Sequence, residues 1–163
     1  MLKKFLRNER GLTLIELLAV VVILGIIAAI AVPSIGRIID NTKKDAHIAN
    51  AQQMVSAVKL YMAASNDKGP DITLTKLKSQ GYLTDIKDPS NSAGLYDADS
   101  TKVNVTKSAQ GNYDYKVTLI SKTGTGTEAI TTTYINNVNI STVQRSDVSL
   151  PGEPAAPAAP GGS

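Results

Sequence analysis

Residues 10–33 read Arg-Gly-Leu-Thr-Leu-Ile-Glu-Leu-Leu-Ala-Val-Val-Val-Ile-Leu-Gly-Ile-Ile-Ala-Ala-Ile-Ala-Val-Pro, and this stretch decides how the chain is organised. From Leu12 to Val32 only Glu16 is charged. At a rise of about 1.5 Å per residue, these residues would form a helix roughly 30 Å long, the thickness of a bilayer's hydrocarbon core. The stretch therefore predicts a helix that spans a membrane.

The residues before this helix are basic. Only Glu9 opposes four cationic side chains, which are Lys3, Lys4, Arg7 and Arg10. This bias predicts a cytoplasmic N-terminus, with the rest of the chain outside the membrane. From Leu12 onward the chain has 13 basic and 13 acidic residues, so the formal charge of +3 belongs to the leader. A neutral body offers few cationic contacts to phosphates, and we predict no nucleic-acid partner.

The composition also argues against an enzyme or a metal protein. The chain has no cysteine and one histidine, which excludes disulfides, thiolate metal sites and a cysteine nucleophile. We expect the single histidine, His47, to be an exposed residue of an Ala-rich helix. Asp97 and Asp99 could offer oxygen ligands to Ca²⁺, but the rest of an EF-hand pattern is missing, so a solvated acidic loop is favoured. We predict no catalytic residue, no cofactor and no metal.

Glu16 stands out because an ionised carboxylate in a membrane helix is costly unless it has a partner. One interpretation is that Glu16 simply reaches back to the headgroup region. A second follows from the junction before it. A cut between Gly11 and Leu12 would place a new ammonium group at the start of the helix, and this group would be a natural partner for Glu16, within one subunit or between neighbours.

The segment Arg10-Gly11-Leu12-Thr13-Leu14-Ile15-Glu16-Leu17-Leu18, with Pro33 following, resembles the class III signal of type IV prepilins and pseudopilins. The resemblance implies that a prepilin peptidase cuts after Gly11 and methylates Leu12, where the family usually has Phe. It implies that Glu16 pairs with the N-terminal ammonium of an adjacent subunit in a filament core. It also implies an α+β fold, in which a long N-terminal helix packs on a small antiparallel sheet.

A secretory signal peptide is the competing interpretation, because Ala29-Ile30-Ala31 fits a small-x-small cleavage site. The length of the apolar run and the carboxylate of Glu16 argue against it. A helical pattern also continues beyond that point, with apolar residues at helical spacings up to Met62. A cleaved signal would have no reason to be in phase with the chain after it.

The helix is expected to reach Ala64, with an amphipathic second half over 34–64. Pro33 lacks an N–H and crowds the preceding turn, which predicts a kink, helped by Gly36. The alternative is that the helix simply ends at Pro33, at the membrane surface.

The outer domain, residues 65–150, should begin with a helix over 74–80, capped by Thr73 and ending at Gly81. Residues 91–111 are polar and turn-rich. Three strands are expected after them, over 113–120, 129–135 and 138–143. With few aromatic residues this sheet needs a cover, and the apolar face of residues 46–62 can supply it.

These predictions divide the chain into five parts: a leader (1–11), a transmembrane or filament-core helix (12–33), an amphipathic helix (34–64), a globular domain (65–150) and a disordered Pro/Ala/Gly tail (151–163). The favoured function is a structural subunit, by its size a major pilin, of a bacterial type IV pilus. It would be a single-pass membrane protein before assembly and part of a surface filament afterwards. Its partners would be other copies of itself, the prepilin peptidase, the assembly machinery and the membrane.

Two alternatives remain open. One is a pseudopilin of a type II secretion or competence DNA-uptake system. The other is a membrane-anchored extracellular binding module that is never cut at Gly11.

Overall fold

A long N-terminal helix and a four-stranded antiparallel sheet make up the part of the chain described by the computed structural model, residues 13–65, 69–91, 94–124 and 129–153. The elements are, in order, α1 (Leu14–Ala64), β1 (Asp71–Thr73), α2 (Leu74–Ser79), β2 (Lys102–Lys107), β3 (Tyr113–Thr123), β4 (Ile130–Asn139) and a 3₁₀ turn (Arg145–Asp147). This architecture confirms the predicted α+β class. The expected disordered tail lies largely outside the described residues.

The chain divides into two compact units, Met1–Ile39 and Asp40–Ser163. In the first unit the described side chains of α1 are exposed almost throughout, although nearly all of them are apolar. By length and composition, α1 contains a segment able to cross a membrane, with a mean hydropathy of 3.0 over its best window. α1 also continues through Pro33, so the alternative that the helix ends there is wrong.

The sheet belongs to the second unit and has the order β1-β2-β3-β4. Its neighbours pair antiparallel, with Val103 opposite Val117 and Val117 opposite Val138. The predicted meander lacked β1 and β2, and β2 lies within the stretch expected to be only turns. The predicted strand over 138–143 is wrong, because β4 runs on to Asn139 and the chain then turns. The register between β3 and β4 shifts between Val117 and Ile120. Asn137 lies on β4 at this place and has φ of 53°, a left-handed conformation that asparagine tolerates.

The helix α2 begins where its sequence predicts and ends at Ser79, one residue before the predicted end at Gln80. The hydroxyl of Thr73 accepts a hydrogen bond from the backbone N–H of Lys76, which satisfies a donor at the start of the helix. At the other end, the N–H groups of Gly81 and Tyr82 donate to the carbonyls of Lys78 and Leu77. Gly81 has φ of 75°, and these two bonds form the Schellman motif that a glycine at this position permits.

One face of α1 supplies a wall of the hydrophobic core. Its fully or almost fully buried apolar residues are Ala51, Met54, Val55, Ala57, Val58, Tyr61 and Met62. They belong to one cluster with inward-facing residues of the sheet, which include Val103, Val117, Leu119 and Ile135. The predicted cover of the sheet by residues 46–62 is therefore confirmed.

The segment after β4 returns to the start of this wall. Ser149 donates its N–H to the carbonyl of Tyr134, and Val148 and Leu150 are buried beside it. Arg145 makes two hydrogen bonds of 2.6 Å to the carboxylate of Asp45. Because this guanidinium stabilises the charged form, it lowers the pKa of Asp45 below its ordinary value. The C-terminal segment thus closes the core beside the middle of α1.

Replacing one core leucine tests this packing. Leu77 of α2 is completely buried, so Leu77→Ala should lower the free energy of unfolding by about 2–5 kcal/mol through lost burial and a residual cavity. Leu60→Ala is the matched control, because Leu60 lies in a helix but is 63% exposed, and it should cost less than about 0.5 kcal/mol. Urea unfolding of the full chain in detergent, followed by tyrosine circular dichroism, measures both. Equal losses in the two variants would contradict the packing described.

Candidate functional site

The start of α1 is built as a reciprocal cap around Glu16. The backbone N–H of Thr13 donates to the Glu16 carboxylate at 2.9 Å, and the Thr13 hydroxyl donates to the same oxygen at 2.8 Å. In return, the backbone N–H of Glu16 donates to the Thr13 hydroxyl at 3.3 Å. This arrangement is a capping box, with Thr13 as the N-cap and Glu16 three residues later.

The cap turns the Glu16 carboxylate back toward the chain that precedes the helix. Gly11 and Leu12, the predicted cleavage and methylation residues, lie outside the described residues, so their geometry is not part of the site. Thr13 is the next residue, and its amide nitrogen is 2.9 Å from the carboxylate. Residue 12 directly precedes Thr13, so a charge on its nitrogen would be one residue away in the chain from a group bound to Glu16. The carboxylate also has lone pairs that Thr13 does not use, and these can accept from a second partner.

The surroundings of Glu16 are apolar and exposed. Between Leu14 and Ile39 the sequence has no other carboxylate, and Arg37 is its one cation. Nearly all large apolar side chains that are exposed in the described part of the chain lie in this same range, and the exceptions are Leu60, Leu95 and Ile130. Such a surface can lie in lipid or pack against other apolar helices, and in both settings Glu16 would be the strongest polar feature.

Pro33 lies inside α1, in the first unit. Its ring removes one backbone hydrogen bond from the helix, and Gly36, one turn later, has open space around its Cα. The kink expected at this position stays a prediction.

His47 is not the exposed residue that the sequence led us to expect, because its side chain is completely buried. Its ring stacks on Tyr134 with centroids 4.0 Å apart. Its Nδ1 atom lies 2.6 Å from the hydroxyl of Tyr96, and its Nε2 atom lies 2.9 Å from the hydroxyl of Ser90. The sequence did hold a signal for this burial, since His47 precedes Met54 by seven residues and so shares its helix face.

A serine and an aspartate near this histidine invite comparison with a hydrolase triad. In a triad the carboxylate binds Nδ1 of the imidazole while the serine faces Nε2. Here Asp88 lies 3.9 Å from Nε2, on the same side as Ser90, and Tyr96 occupies the Nδ1 side. The Asp88 carboxylate instead accepts hydrogen bonds from the hydroxyl of Tyr134 and the N–H of Ser90. The cluster is arranged as a buried hydrogen-bond network and does not match the triad.

The acidic loop at Asp97 and Asp99 also has protein partners. Asp97 accepts from the N–H of Ser100 and lies 3.3 Å from the ammonium of Lys122, while Asp99 accepts a hydrogen bond from Thr75. No group of three or more acidic, histidine or cysteine side chains suited to a metal occurs among the described residues. The two carboxylates thus serve loop and sheet contacts.

The N-terminal part of the chain matches a known family model. Residues 6–32 match the family model described as the prokaryotic N-terminal methylation motif. This motif is the class III prepilin signal, the hallmark of type IV pilins and pseudopilins, and it implies processing by a peptidase. With the exposed apolar helix it indicates membrane anchoring. Searches of curated proteins and of solved structures found no match to the chain.

Removing the Thr13 hydroxyl tests the capping box. Thr13→Val keeps the shape of the side chain but leaves the Glu16 amide without its acceptor, at a cost of about 1 kcal/mol. We expect hydrogen exchange of the Glu16 amide to accelerate roughly fivefold in the full chain in detergent, in proportion to that cost. Thr13→Ser retains the hydroxyl and should exchange like the native chain. Unchanged exchange in Thr13→Val would mean that the cap does not form.

Proposed function

We propose that the chain is the structural subunit of a bacterial type IV pilus. A prepilin peptidase removes residues 1–11 and methylates Leu12, and the mature chain polymerises through its N-terminal helix. The observation that carries this proposal is the methylation motif at residues 6–32, which covers the leader from Leu6 onward, the junction after Gly11 and the apolar run up to Val32.

The exposed first part of α1 supports polymerisation. Its apolar side chains have no cover within the described chain, and an apolar surface of this size needs either lipid or other protein. Before assembly the bilayer supplies that environment. In a filament, the same helices from neighbouring copies would replace the lipid, so one surface serves both states.

Glu16 determines the axial position of neighbouring subunits in the proposed filament. Cleavage after Gly11 creates an ammonium group at residue 12, and in the proposed filament this ammonium pairs with Glu16 of an adjacent copy. Glu16 lies near the end of the predicted membrane helix, where an unpaired carboxylate is still costly. Since either charge would be left without a partner in a shifted arrangement, the pair favours one axial position over the others.

Mass spectrometry of the mature N-terminus tests the processing step. The proposal expects a chain that begins at Leu12 and is heavier by one methyl group. Gly11→Val should block the cut, because a β-branched side chain replaces the small residue at the junction, and the chain should then keep its leader. A native chain with an intact leader would favour the uncut binding module, and a start near Pro33 would favour a secretory signal.

Substitution of Glu16 tests the assembly step separately. Glu16→Gln keeps the size and hydrogen-bonding capacity of the side chain but removes the charge. We expect the variant to be inserted and cut normally, while the yield of sheared surface filaments falls at least tenfold, a change of about 1.4 kcal/mol. Asp114→Asn, which removes an exposed carboxylate from β3, is the control and should leave filaments normal. Normal filament yield from Glu16→Gln would overturn the pairing.

Electron microscopy of the same sheared material separates the pilus from its close alternative. Long surface filaments containing this chain support the pilus. Subunits that are cut and methylated but recovered only as short, envelope-bound assemblies support a pseudopilus of a secretion or DNA-uptake system. The absence of cysteine leaves both readings open, because it excludes only the C-terminal disulfide that is common in pilins of Gram-negative bacteria.

A further inference from the structure

The network around His47 joins three separate parts of the globular unit. Helix α1 contributes His47 and Asn50, the segment over 87–91 and 94–96 contributes Asp88, Ser90 and Tyr96, and β4 contributes Tyr134. Asn50 also donates to the backbone carbonyl of Lys87, at the start of that segment. The segment is therefore joined to α1 by hydrogen bonds that are grouped around one imidazole ring.

The hydrogen bonds favour one of the two neutral forms of this ring. The hydroxyl of Tyr96 accepts from the side-chain amide of Asn50 at 3.1 Å, so its own proton is available for Nδ1 of His47 at 2.6 Å. The imidazole then carries its proton on Nε2 and donates it to the hydroxyl of Ser90 at 2.9 Å. In this neutral state each ring nitrogen faces a group of the complementary kind, a donor at Nδ1 and an acceptor at Nε2.

A second proton on the ring breaks this pattern. Nδ1 would become a donor directed at the hydroxyl of Tyr96, which already donates to it, so that hydroxyl would have to turn away. A positive charge would also appear on a side chain that is completely buried and stacked on Tyr134. Burying a charge is costly unless its surroundings solvate it, and the neutral network has no free acceptor on the Nδ1 side.

We propose that His47 is an acid-sensitive latch, whose protonation releases the segment over 87–91 and 94–96 from α1 while the sheet stays folded. The proposal does not rest on the function in filaments, because it concerns contacts within the globular unit alone.

The charged groups around the ring set the direction of the effect. Asp88, in that segment, favours the imidazolium, and Lys43, on α1, opposes it. The other charges on this part of α1 are already paired, Asp45 with Arg145 and Lys44 with Glu153. Tyr96 and Tyr134 face the ring as neutral groups, since burial raises the pKa of both phenols.

Burial outweighs Asp88 and lowers the pKa of His47 from 6.5 to about 4. Because the folded pKa lies below the unfolded one, the unfolded or released state binds the proton more tightly. The stabilising contribution of His47 is therefore complete above pH 6.5. It is lost as the pH falls from 6.5 toward 4.

The single histidine makes the test direct. The full chain, in detergent micelles and labelled with ¹³C and ¹⁵N in histidine, gives one imidazole signal, and this signal must come from His47. We expect a titration midpoint near 4, together with nitrogen shifts that show a proton on Nε2 at neutral pH. A midpoint near 6.5 would overturn the proposal, because the ring would then gain its proton without any cost to the fold.

Hydrogen exchange, corrected for the intrinsic effect of pH, tests the release itself. The amide of Asp88, which donates to the carbonyl of Gly94, reports on the segment, and the amide of Val117 in β3 reports on the sheet. Between pH 6.5 and 4.5 we expect protection of the Asp88 amide to fall by about tenfold per pH unit, while Val117 changes little. Equal loss at both amides would indicate global unfolding and would overturn the latch.

His47→Phe is the matched variant, since it keeps a ring to stack on Tyr134 but cannot titrate. Its Asp88 amide should exchange faster than in the native chain at neutral pH, and its protection should be independent of pH between 6.5 and 4.5. The same pH dependence as in the native chain would overturn the proposal. If this variant does not fold, the imidazole titration and the two native amides decide the question on their own.

Discussion

The buried face of α1 supports the rest of the globular unit. Ala51, Met54 and Val58 are completely excluded from solvent, and they share one cluster with the inward side chains of β2, β3 and β4. A four-stranded sheet with few aromatic residues cannot bury its own apolar face. Because the helix provides the opposite wall, α2 and the segment after β4 also have a surface to pack on. The same helix, between Leu14 and Ile39, presents apolar side chains that nothing in the described chain covers.

Two polar side chains of this helix, His47 and Glu16, differ in how far the chain itself supplies their hydrogen-bond partners. His47 has a partner for each ring nitrogen and a phenol ring stacked on it, so its neutral form is complete within one chain. Glu16 has only Thr13 as a partner among the described residues, and its neighbours on the helix are apolar. A satisfied buried network stabilises one conformation, whereas a carboxylate with unused acceptor capacity favours association with a cation. The buried network of His47 stabilises the fold of one chain, whereas the unused acceptor capacity of Glu16 favours association in the proposed filament.

Much of this arrangement follows from the sequence, and the exceptions have physical reasons. The apolar run, the Thr73 cap and the glycine after α2 are local signals, and each corresponds to the expected element. β2 was missed although Val103 and Val105 alternate with polar residues, because the strand is short and lies among turn-forming residues. The burial of His47 was missed because its partners, Ser90, Tyr96 and Tyr134, come from distant parts of the chain. The helical spacing indicated that His47 lies on the buried face of α1. It did not indicate the polar groups that form hydrogen bonds with the imidazole there.

In the proposed filament, the ammonium created by cleavage meets Glu16 of a neighbouring copy. Solid-state NMR on filaments made from a mixture of two subunit populations, one labelled with ¹⁵N-leucine and the other with ¹³C-glutamate, tests it directly. The N-terminal ammonium of Leu12 resonates apart from all backbone amides, and its dipolar coupling to a glutamate carboxylate is detectable only at short range. We expect coupling between the two populations at a distance of about 4 Å, the range of a charge-assisted contact. If well-ordered mixed filaments show no coupling, the pairing between copies is wrong, and coupling that appears only when one subunit carries both labels would place the pair within a single copy.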